Sequence, residues 1–384
     1  MGARRQSAAL AFVLALAPAL AAAEAPAPCG APAALPDGWA LAAPAQQGLD
    51  PQRICAIGPA LETLKRAAPE GVVVARHGAL VYEHYFGADP TARAAGTVHE
   101  IYAITTNLVA LLTGIAFARG WLNDIDAPVF SFLPEYAALR TPGKARITLR
   151  DLLTMTSGLA WPELFVAHDD PANIARRMRR APDPYRFVLQ QPLAAMPGTM
   201  WNYDSGGVEL LGLVLEKVAR RPLDVFARKA LFAPLGITDW AWRRLGGAAR
   251  PGPAASSGLL LRPRDLAKIG QLVLNRGLWH GRRIVPAAWI KEMTAPQIPP
   301  WWLLNGEAGA QSYGYLWWRG RSWVRDRPFE WIGGLGWGGQ RLYVVPRLDM
   351  VVVVTAGAYY RPSYAQDLAG ERALAMALRA ALTH

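Results

Sequence analysis

Two hydroxyl side chains stand two positions apart in Tyr203-Asp-Ser205. Such groups serve acyl transfer, in which an oxygen nucleophile attacks a carbonyl, a base takes its proton and N–H donors hold the oxyanion. A lysine one helical turn after a serine is a suitable base, but no lysine of this chain follows a serine by three residues. The six lysines are Lys65, Lys144, Lys217, Lys229, Lys268 and Lys291. The chain therefore carries only part of the chemistry that acyl transfer needs.

Residues 100–114 read Glu-Ile-Tyr-Ala-Ile-Thr-Thr-Asn-Leu-Val-Ala-Leu-Leu-Thr-Gly. This run resembles the nucleophile helix of serine β-lactamases, DD-peptidases and related esterases, the class C β-lactamase-like serine hydrolases. In that family a Ser-x-x-Lys motif supplies the nucleophile and the base. Here the nucleophile position is Ala103, which has no nucleophilic atom, and the base position is Thr106, which has no amine. The resemblance implies a hydrolase scaffold with a degenerate motif.

Further segments resemble the family's other motifs in the right order, over roughly residues 45–380. They are residues 146–158, Pro197-Gly198, Tyr203-Asp-Ser205, Pro234-Leu-Gly236, residues 313–318 and Gly336-Trp-Gly-Gly-Gln340. The resemblance implies that Tyr203 and Ser205 are retained catalytic positions. The third motif usually begins with Lys, His or Trp, and that position falls on Gly334. We therefore expect Gly334, Gly336 and Trp337 beside the ligand site.

Tryptophans crowd into the same part of the chain. Seven lie within forty residues: Trp301, Trp302, Trp317, Trp318, Trp323, Trp331 and Trp337. Most are explained by core and sheet packing, but aromatic faces also line ligand clefts. We expect Trp318 and Trp337 to reach the pocket.

The elements that must position these residues follow from periodicity and turn signals. Four runs are predicted as strands in two hairpins: residues 71–76, 79–85, 341–345 and 350–354. A closing helix is predicted over about 366–382. Strands at both ends predict an α/β (α+β) fold of the β-lactamase/transpeptidase-like kind. Its antiparallel sheet comes from both termini, is flanked by helices and carries a mostly helical inserted subdomain.

The uncharged run 101–118 has two interpretations. It is long enough to suggest a membrane span, but Thr105, Thr106, Asn107 and Thr113 interrupt its apolar character. A helix that is apolar on most sides is also typical of the centre of a large fold. We predict a buried helix and no stable membrane span.

Composition divides the chain into segments. Arg4 and Arg5, an apolar stretch and Ala21-Ala22-Ala23 predict a signal peptide and hence a periplasmic or secreted protein, with a retained anchor as the alternative. The predicted segments are a signal peptide at 1–23, an extended arm at 24–50 and a β-lactamase-like domain at 51–384. Within that domain, 51–120 and about 280–384 form the sheet part and about 121–279 the helical part.

The two cysteines, Cys29 and Cys55, both lie in the exported part. An oxidising compartment favours a disulfide between them, with two free thiols as the alternative. The net charge of +12 includes the cluster Arg176-Arg177-Met178-Arg179-Arg180, which we interpret as a solvated helix face, with contact to anionic lipid or wall polymer as the alternative. Export makes nucleic acid an unsuitable partner.

Scans for other chemistries are negative. The chain has no Gly-x-Ser-x-Gly elbow, no His-Glu-x-x-His pair and no glycine-rich phosphate loop. We therefore expect no metal site and no cofactor. A small molecule, peptide or wall-derived fragment is the expected class of partner.

Three functions remain open from the sequence. The first is an exported pseudoenzyme that binds a ligand in the family cleft without turnover. The second is an active esterase, amidase or peptidase with a displaced nucleophile at Thr105, Thr106 or Ser205. The third is an envelope interaction protein whose cleft is filled, which buried Trp318 or Trp337 and a closed pocket would favour.

Overall fold

The structure is a computed structural model and describes residues 29–87, 95–246, 252–299 and 310–382. The predicted signal peptide, Trp301 and Trp302 lie outside the described residues. Helices of the described part are α1 (Pro51–Cys55), α2 (Ile57–Glu62), α3 (Thr105–Ala118), α4 (Leu149–Thr154), α5 (Ile174–Arg180), α6 (Pro184–Gln190), α7 (Ser205–Ala219), α8 (Leu223–Ala227), α9 (Pro263–Leu274), α10 (Ala287–Met293) and α11 (Ser363–Ala380).

Thirteen strands belong to three sheets of the described part. They are β1 (Ala40–Leu41), β2 (Pro69–Arg76), β3 (Ala79–Tyr85), β4 (His99–Glu100), β5 (Trp240–Trp242), β6 (Leu259–Leu261), β7 (Leu278–Trp279), β8 (Arg282–Arg283), β9 (Ala310–Tyr313), β10 (Trp318–Val324), β11 (Arg327–Gly336), β12 (Gln340–Val345) and β13 (Met350–Ala356). The main sheet has eight strands in the order β1-β3-β2-β13-β12-β11-β10-β9, and only β1 pairs in parallel.

The predicted fold class is confirmed, because N-terminal and C-terminal strands meet at the centre of this sheet. Val73 of β2 lies opposite Val353 of β13. The turn between β2 and β3 is the predicted one, since His77 and Gly78 both adopt positive φ angles of 51° and 77°. Such angles suit the tight connection of a two-residue hairpin.

Helices cover both faces of the sheet. Successive strand residues point to opposite faces, and in β12 Leu342 lies against Gly270 of α9 while Tyr343 lies against Gly370 of α11. The closing helix, α11, therefore covers one face of the sheet, and α9 covers the other. The sequence analysis assigns α9 to the helical part of the domain, and in the structure the contacts of α9 include β2, β12 and β13 of the main sheet.

The uncharged run 101–118 is divided into two elements. A single 3-10 turn covers Tyr102–Ile104, and α3 follows from Thr105. Twelve residues of α3 are buried, which agrees with the predicted core helix. Among the residues that the structure describes, no helix combines the length and the hydropathy of a membrane span.

Arg264 ties the N-terminal arm to the sheet and to α9. Its guanidinium is 1% exposed and makes a bidentate contact with Glu83 at 2.5 and 2.7 Å. It also contacts Asp37 of the arm at 3.1 Å and the Ala33 carbonyl at 2.7 Å. A second link holds the arm, since a disulfide between Cys29 and Cys55 joins it to α1.

Removing the Arg264 guanidinium should destabilise the fold strongly, because Asp37 and Glu83 would keep buried charges without a partner. We expect Arg264→Ala to lower the free energy of unfolding by about 3 to 5 kcal/mol, measured by urea unfolding with tryptophan fluorescence. Arg282→Ala, at an exposed arginine of β8, is the matched control. A loss below about 1 kcal/mol for Arg264→Ala would show that the arm is not held by this contact.

Candidate functional site

A cavity of about 1050 Å³ lies between the sheet and the helical part of the domain. It brings together most of the residues that the sequence singles out: Ala103, Tyr203, Ser205, Trp318, Gly336 and Trp337. Thr106 and Gly334 are not among its lining residues. Thr106 is buried on α3, one turn below Ala103.

Ala103 enters the cavity from the 3-10 turn that precedes α3. The preceding residue, Tyr102, has a φ angle of 46°, which is uncommon for a residue with a bulky side chain. Burial raises the pKa of the Tyr102 phenol to about 12, with a further contribution from Glu100. The phenol beside Ala103 is therefore neutral at physiological pH and cannot serve as a ready base.

Gly334 faces α3 instead of the cavity. A Cβ atom at this position would overlap with Oδ1 of Asn107 and crowd Ile104. The Asn107 amide is fixed there because its Nδ2 donates to the carbonyls of Leu316 at 2.9 Å and Gly333 at 3.4 Å. The space beside the third-motif position is therefore occupied by an amide that links the helix to the strands.

The Tyr203-Asp-Ser205 motif forms the start of α7. Asp204 caps the helix by accepting hydrogen bonds from the Gly207 N–H at 2.8 Å and the Ser157 hydroxyl at 2.7 Å. Burial raises the pKa of Asp204 to about 6. The Tyr203 ring stacks on Trp318 with the ring centres 6.4 Å apart and an interplanar angle of 8°.

Ser205 is held by a neighbour that the sequence does not reveal. The carboxylate of Glu163 accepts hydrogen bonds from the Ser205 N–H at 3.3 Å and from the Trp161 indole at 2.8 Å. The Ser205 side chain itself is 4% exposed, and its hydroxyl has no hydrogen-bond partner among the described residues. The hydroxyl oxygen is itself buried, so Ser205 borders the cavity with a polar atom that is shielded from solvent.

Aromatic rings form another wall of the cavity around Trp337. Its ring centre lies 5.3 Å from Tyr102 and 5.5 Å from His168. Burial lowers the pKa of His168 even though the Glu163 charge opposes that shift. The imidazole is therefore neutral at pH 7.

Glu163, His168 and Arg179 are the site residues that sequence analysis missed. Glu163 begins a short 3-10 helix and His168 lies in the turn after it, and neither belongs to a recognised motif. Arg179 belongs to the arginine run that reads as a solvated helix face. Its neighbours Arg177 and Arg180 are exposed, as predicted, but Arg179 is half-buried and lines the cavity.

The described histidines, cysteines, aspartates and glutamates form no group of three that could hold a metal ion. The arrangement is therefore described by its hydroxyls, charges and aromatic rings alone. It is a cleft between a sheet and a helical subdomain, with the turn before α3 at its floor and the start of α7 on its wall.

A family model described as Beta-lactamase matches residues 61–377. The chain therefore belongs to the β-lactamase family, whose members include serine hydrolases with this fold. A curated relative is the 6-aminohexanoate-dimer hydrolase of Paenarthrobacter ureafaciens, 24% identical over 317 residues that span 76% of this chain and 73% of the relative. The lovastatin esterase of Penicillium rubens is 31% identical over 156 residues, or 36% of this chain and only 38% of the esterase.

Solved structures show the same fold. The octameric penicillin-binding protein homologue from Pyrococcus abyssi superposes with a TM-score of 0.64 at 23% identity, covering 84% of this chain and 77% of that chain. A D-stereospecific amidohydrolase from Streptomyces sp. superposes with a TM-score of 0.60 at 22% identity, covering 83% of this chain and 98% of that chain. These likenesses establish the architecture.

The raised pKa of Asp204 predicts a pH-dependent stability. Because the pKa of about 6 in the folded protein exceeds the ordinary value of 3.8 for an aspartate, the folded state binds the proton more tightly, and this stabilisation is lost as the pH rises from about 4 to 6. Asparagine caps helices equally well and carries no charge. We expect the free energy of unfolding of Asp204→Asn, taken relative to that of the native protein, to rise by about 2 kcal/mol between pH 4 and pH 7.

Urea unfolding at several pH values measures this difference. Asp183→Asn, at the N-cap of α6 where the side chain is only half-buried, controls for the exchange of residue type. A difference between Asp204→Asn and the native protein that stays constant over this pH range would contradict the assignment.

The overlap at Gly334 predicts a coupling with Asn107. Gly334→Ala should cost roughly 1 to 3 kcal/mol of folding stability, because the added carbon meets the Asn107 amide. The cost should shrink in an Asn107→Ala background, which a double-mutant cycle measures. Gly96→Ala, where an added carbon meets nothing within 4 Å, is the control. Additive effects of the two substitutions would refute the contact.

Proposed function

We propose that this chain is an exported, catalytically inactive member of the family that binds a ligand in the cavity without turnover. The observation that carries the proposal is the position of Ala103. This residue borders the open cavity where the family has its nucleophile, and it offers only a methyl group. Thr106, one turn later, offers no amine.

The chemical consequence of these two losses is large. Removing the catalytic serine of a serine hydrolase costs on the order of a million-fold in rate, which corresponds to about 8 kcal/mol of barrier. Losing the base as well adds little, since the two groups act as a unit. The names of the relatives specify esterase and hydrolase activities, but the atoms that would perform them at these positions are absent from this sequence.

Ligand binding is favoured over a filled cleft. Trp318 is buried, but Trp337 is only half-buried, and both line a cavity that stays open. Phe165, on the same cavity, is 70% exposed. An open cavity lined with aromatic rings and polar groups is typical of a small-molecule site.

Export is supported by two features of the N-terminal region. The first is the composition of residues 1–23, which has the pattern of a signal peptide. The second is the Cys29–Cys55 disulfide, because such bonds persist in oxidising compartments. A periplasmic or secreted location follows as part of the proposal.

A displaced nucleophile at Ser205 is the rival function. Its unpartnered hydroxyl on the cavity favours that reading. The adjacent Glu163 carboxylate is already engaged by the Ser205 N–H and the Trp161 indole, and no lysine lines the cavity among the described residues. Within the described residues no base is hydrogen-bonded to the Ser205 hydroxyl, which favours the inactive protein.

Acylating probes test the proposal directly. We expect no adduct when the native protein is incubated with benzylpenicillin or a fluorophosphonate and examined by intact-mass spectrometry. The Ala103→Ser/Thr106→Lys double variant restores both missing groups and should be labelled at position 103.

Two further variants identify the source of any labelling. Ala103→Ser alone should label far more slowly than the double variant, because it lacks the base. Labelling of the native protein that disappears in Ser205→Ala would establish the displaced nucleophile and overturn the proposal.

A further inference from the structure

Three hairpin turns of the main sheet lie at the same end of it. They are the turn at 77–78 between β2 and β3, the turn at 346–349 between β12 and β13, and the turn at 325–326 between β10 and β11. All neighbours in the order β3-β2-β13-β12-β11-β10 are antiparallel, so successive turns alternate between the two ends of the sheet. These three turns share one end, which is called the turn end below.

The cavity lies at the opposite end of the sheet. β11 begins at Arg327, beside the turn end, and reaches the cavity at Leu335 and Gly336. Its ten residues correspond to a length of about 30 Å. A partner bound at the turn end would therefore leave the cavity open.

Trp323 gives the turn end an exposed aromatic ring. This residue lies near the end of β10, and its side chain is 59% exposed. The residue opposite on β11 is Pro328, which is also exposed, and the Arg321 guanidinium lies 6.0 Å from the centre of the indole ring. Because opposed residues of antiparallel strands share a face, Trp323 and Pro328 form an apolar tip on this hairpin.

Three exposed arginines surround this tip. Arg325 and Arg327 belong to the hairpin itself, and Arg347 lies in the neighbouring turn, where its guanidinium is 5.6 Å from the centre of the Phe329 ring. None of the three arginines makes an ion pair within the described residues. Their positive charges are therefore available to an anionic partner.

The acidic residues of the three turns do not balance these arginines. Asp349 is already engaged, because its carboxylate lies 3.0 Å from Nδ1 of His77 in the adjacent turn. Asp326 is then the remaining acid of the described turns, against three arginines. The net charge of the whole chain, +12, has the same sign and attracts it toward anionic surfaces.

An aromatic tip among arginines matches an anionic membrane better than a soluble phosphate polymer. Guanidinium groups bind the phosphates of lipid headgroups, and an indole ring, with its apolar body and single N–H donor, prefers the headgroup level of a bilayer. A soluble polymer would use the arginines and leave the exposed ring of Trp323 without a contact. The composition of the turn end therefore favours lipid.

We propose that the turn end of the sheet docks on the surface of an anionic lipid bilayer. Trp323 enters the headgroup level, and Arg325, Arg327 and Arg347 contact lipid phosphates. The contact is peripheral and directs the cavity away from the bilayer. It does not depend on whether the cavity binds a ligand or turns one over.

Co-sedimentation with lipid vesicles tests the docking surface. We expect the protein to bind vesicles of equal parts phosphatidylcholine and phosphatidylglycerol but not vesicles of phosphatidylcholine alone, and binding should weaken as salt is raised. The variant Arg325→Gln/Arg327→Gln/Arg347→Gln should bind at least about tenfold more weakly, since an arginine near an anionic surface contributes roughly fivefold.

A matched variant removes the same charge from the helical part of the domain. Arg140→Gln/Arg180→Gln/Arg220→Gln replaces three exposed arginines far along the chain from the turn end and should weaken binding by less than about threefold, because salt screens distant charges. Circular dichroism confirms that both triple variants are folded. Equal losses in the two triple variants would show that only net charge matters and would overturn the docking surface.

Trp323 provides a readout that charge alone does not move. Trp323→Ala should weaken binding several-fold. Lipids brominated in their acyl chains should quench part of the tryptophan fluorescence of the bound native protein, and this part should be missing in Trp323→Phe, which keeps an aromatic ring. Quenching that persists unchanged in Trp323→Phe would contradict the proposed orientation.

Two further results would overturn the proposal. One is the absence of binding to the anionic vesicles. The other is binding to long-chain polyphosphate without binding to vesicles, which would assign the arginines to an anionic polymer. None of these results concerns acylation, so the labelling experiment with benzylpenicillin judges the proposed function separately.

Discussion

The close approach of β11 to the turn before α3 fixes the geometry of the whole cleft. Gly336 lies so near this turn that a Cβ atom would stand 2.5 Å from the Ile101 carbonyl. Two positions earlier, Gly334 leaves room for the Asn107 amide, which donates to the Leu316 and Gly333 carbonyls. Backbone packing and an amide therefore hold position 103 against the strand. None of these contacts involves the side chain of residue 103 or residue 106, so the shape of the cleft does not depend on which side chains stand there.

The opposite wall depends on buried carboxylates around α7. Asp204 caps the helix, Glu163 accepts the Ser205 N–H, and Glu209 accepts the N–H groups of Ala255 and Ser256. Burial raises the pKa of Glu209 as well as that of Asp204. Each carboxylate lowers its desolvation cost by satisfying backbone donors. These polar contacts help to position the helical part over the sheet. They cannot be predicted from the hydrophobic pattern of the sequence.

Sequence reasoning succeeded where a local signal existed. The turn at His77 and Gly78, the valine-rich strands that contain Val73 and Val353, and the buried helix in the run 101–118 were predictable from turn chemistry and periodicity. Arg179 was not, because only packing distinguishes it from its neighbour Arg180 in the cluster Arg176-Arg177-Met178-Arg179-Arg180. The sequence also does not predict that Gly334 faces α3, since this depends on how β11 packs against a helix that is distant in the sequence.

Asn107 also limits which residues position 334 can accept. A side chain at Gly334 needs the space of this amide, and removing the amide leaves two buried carbonyls without their donor. A larger residue at 334 is therefore tolerated only together with a smaller residue at 107 and another donor for the two carbonyls. The strand and the distant helix are thus epistatic at these two positions, so that the effect of a substitution at one depends on the residue at the other.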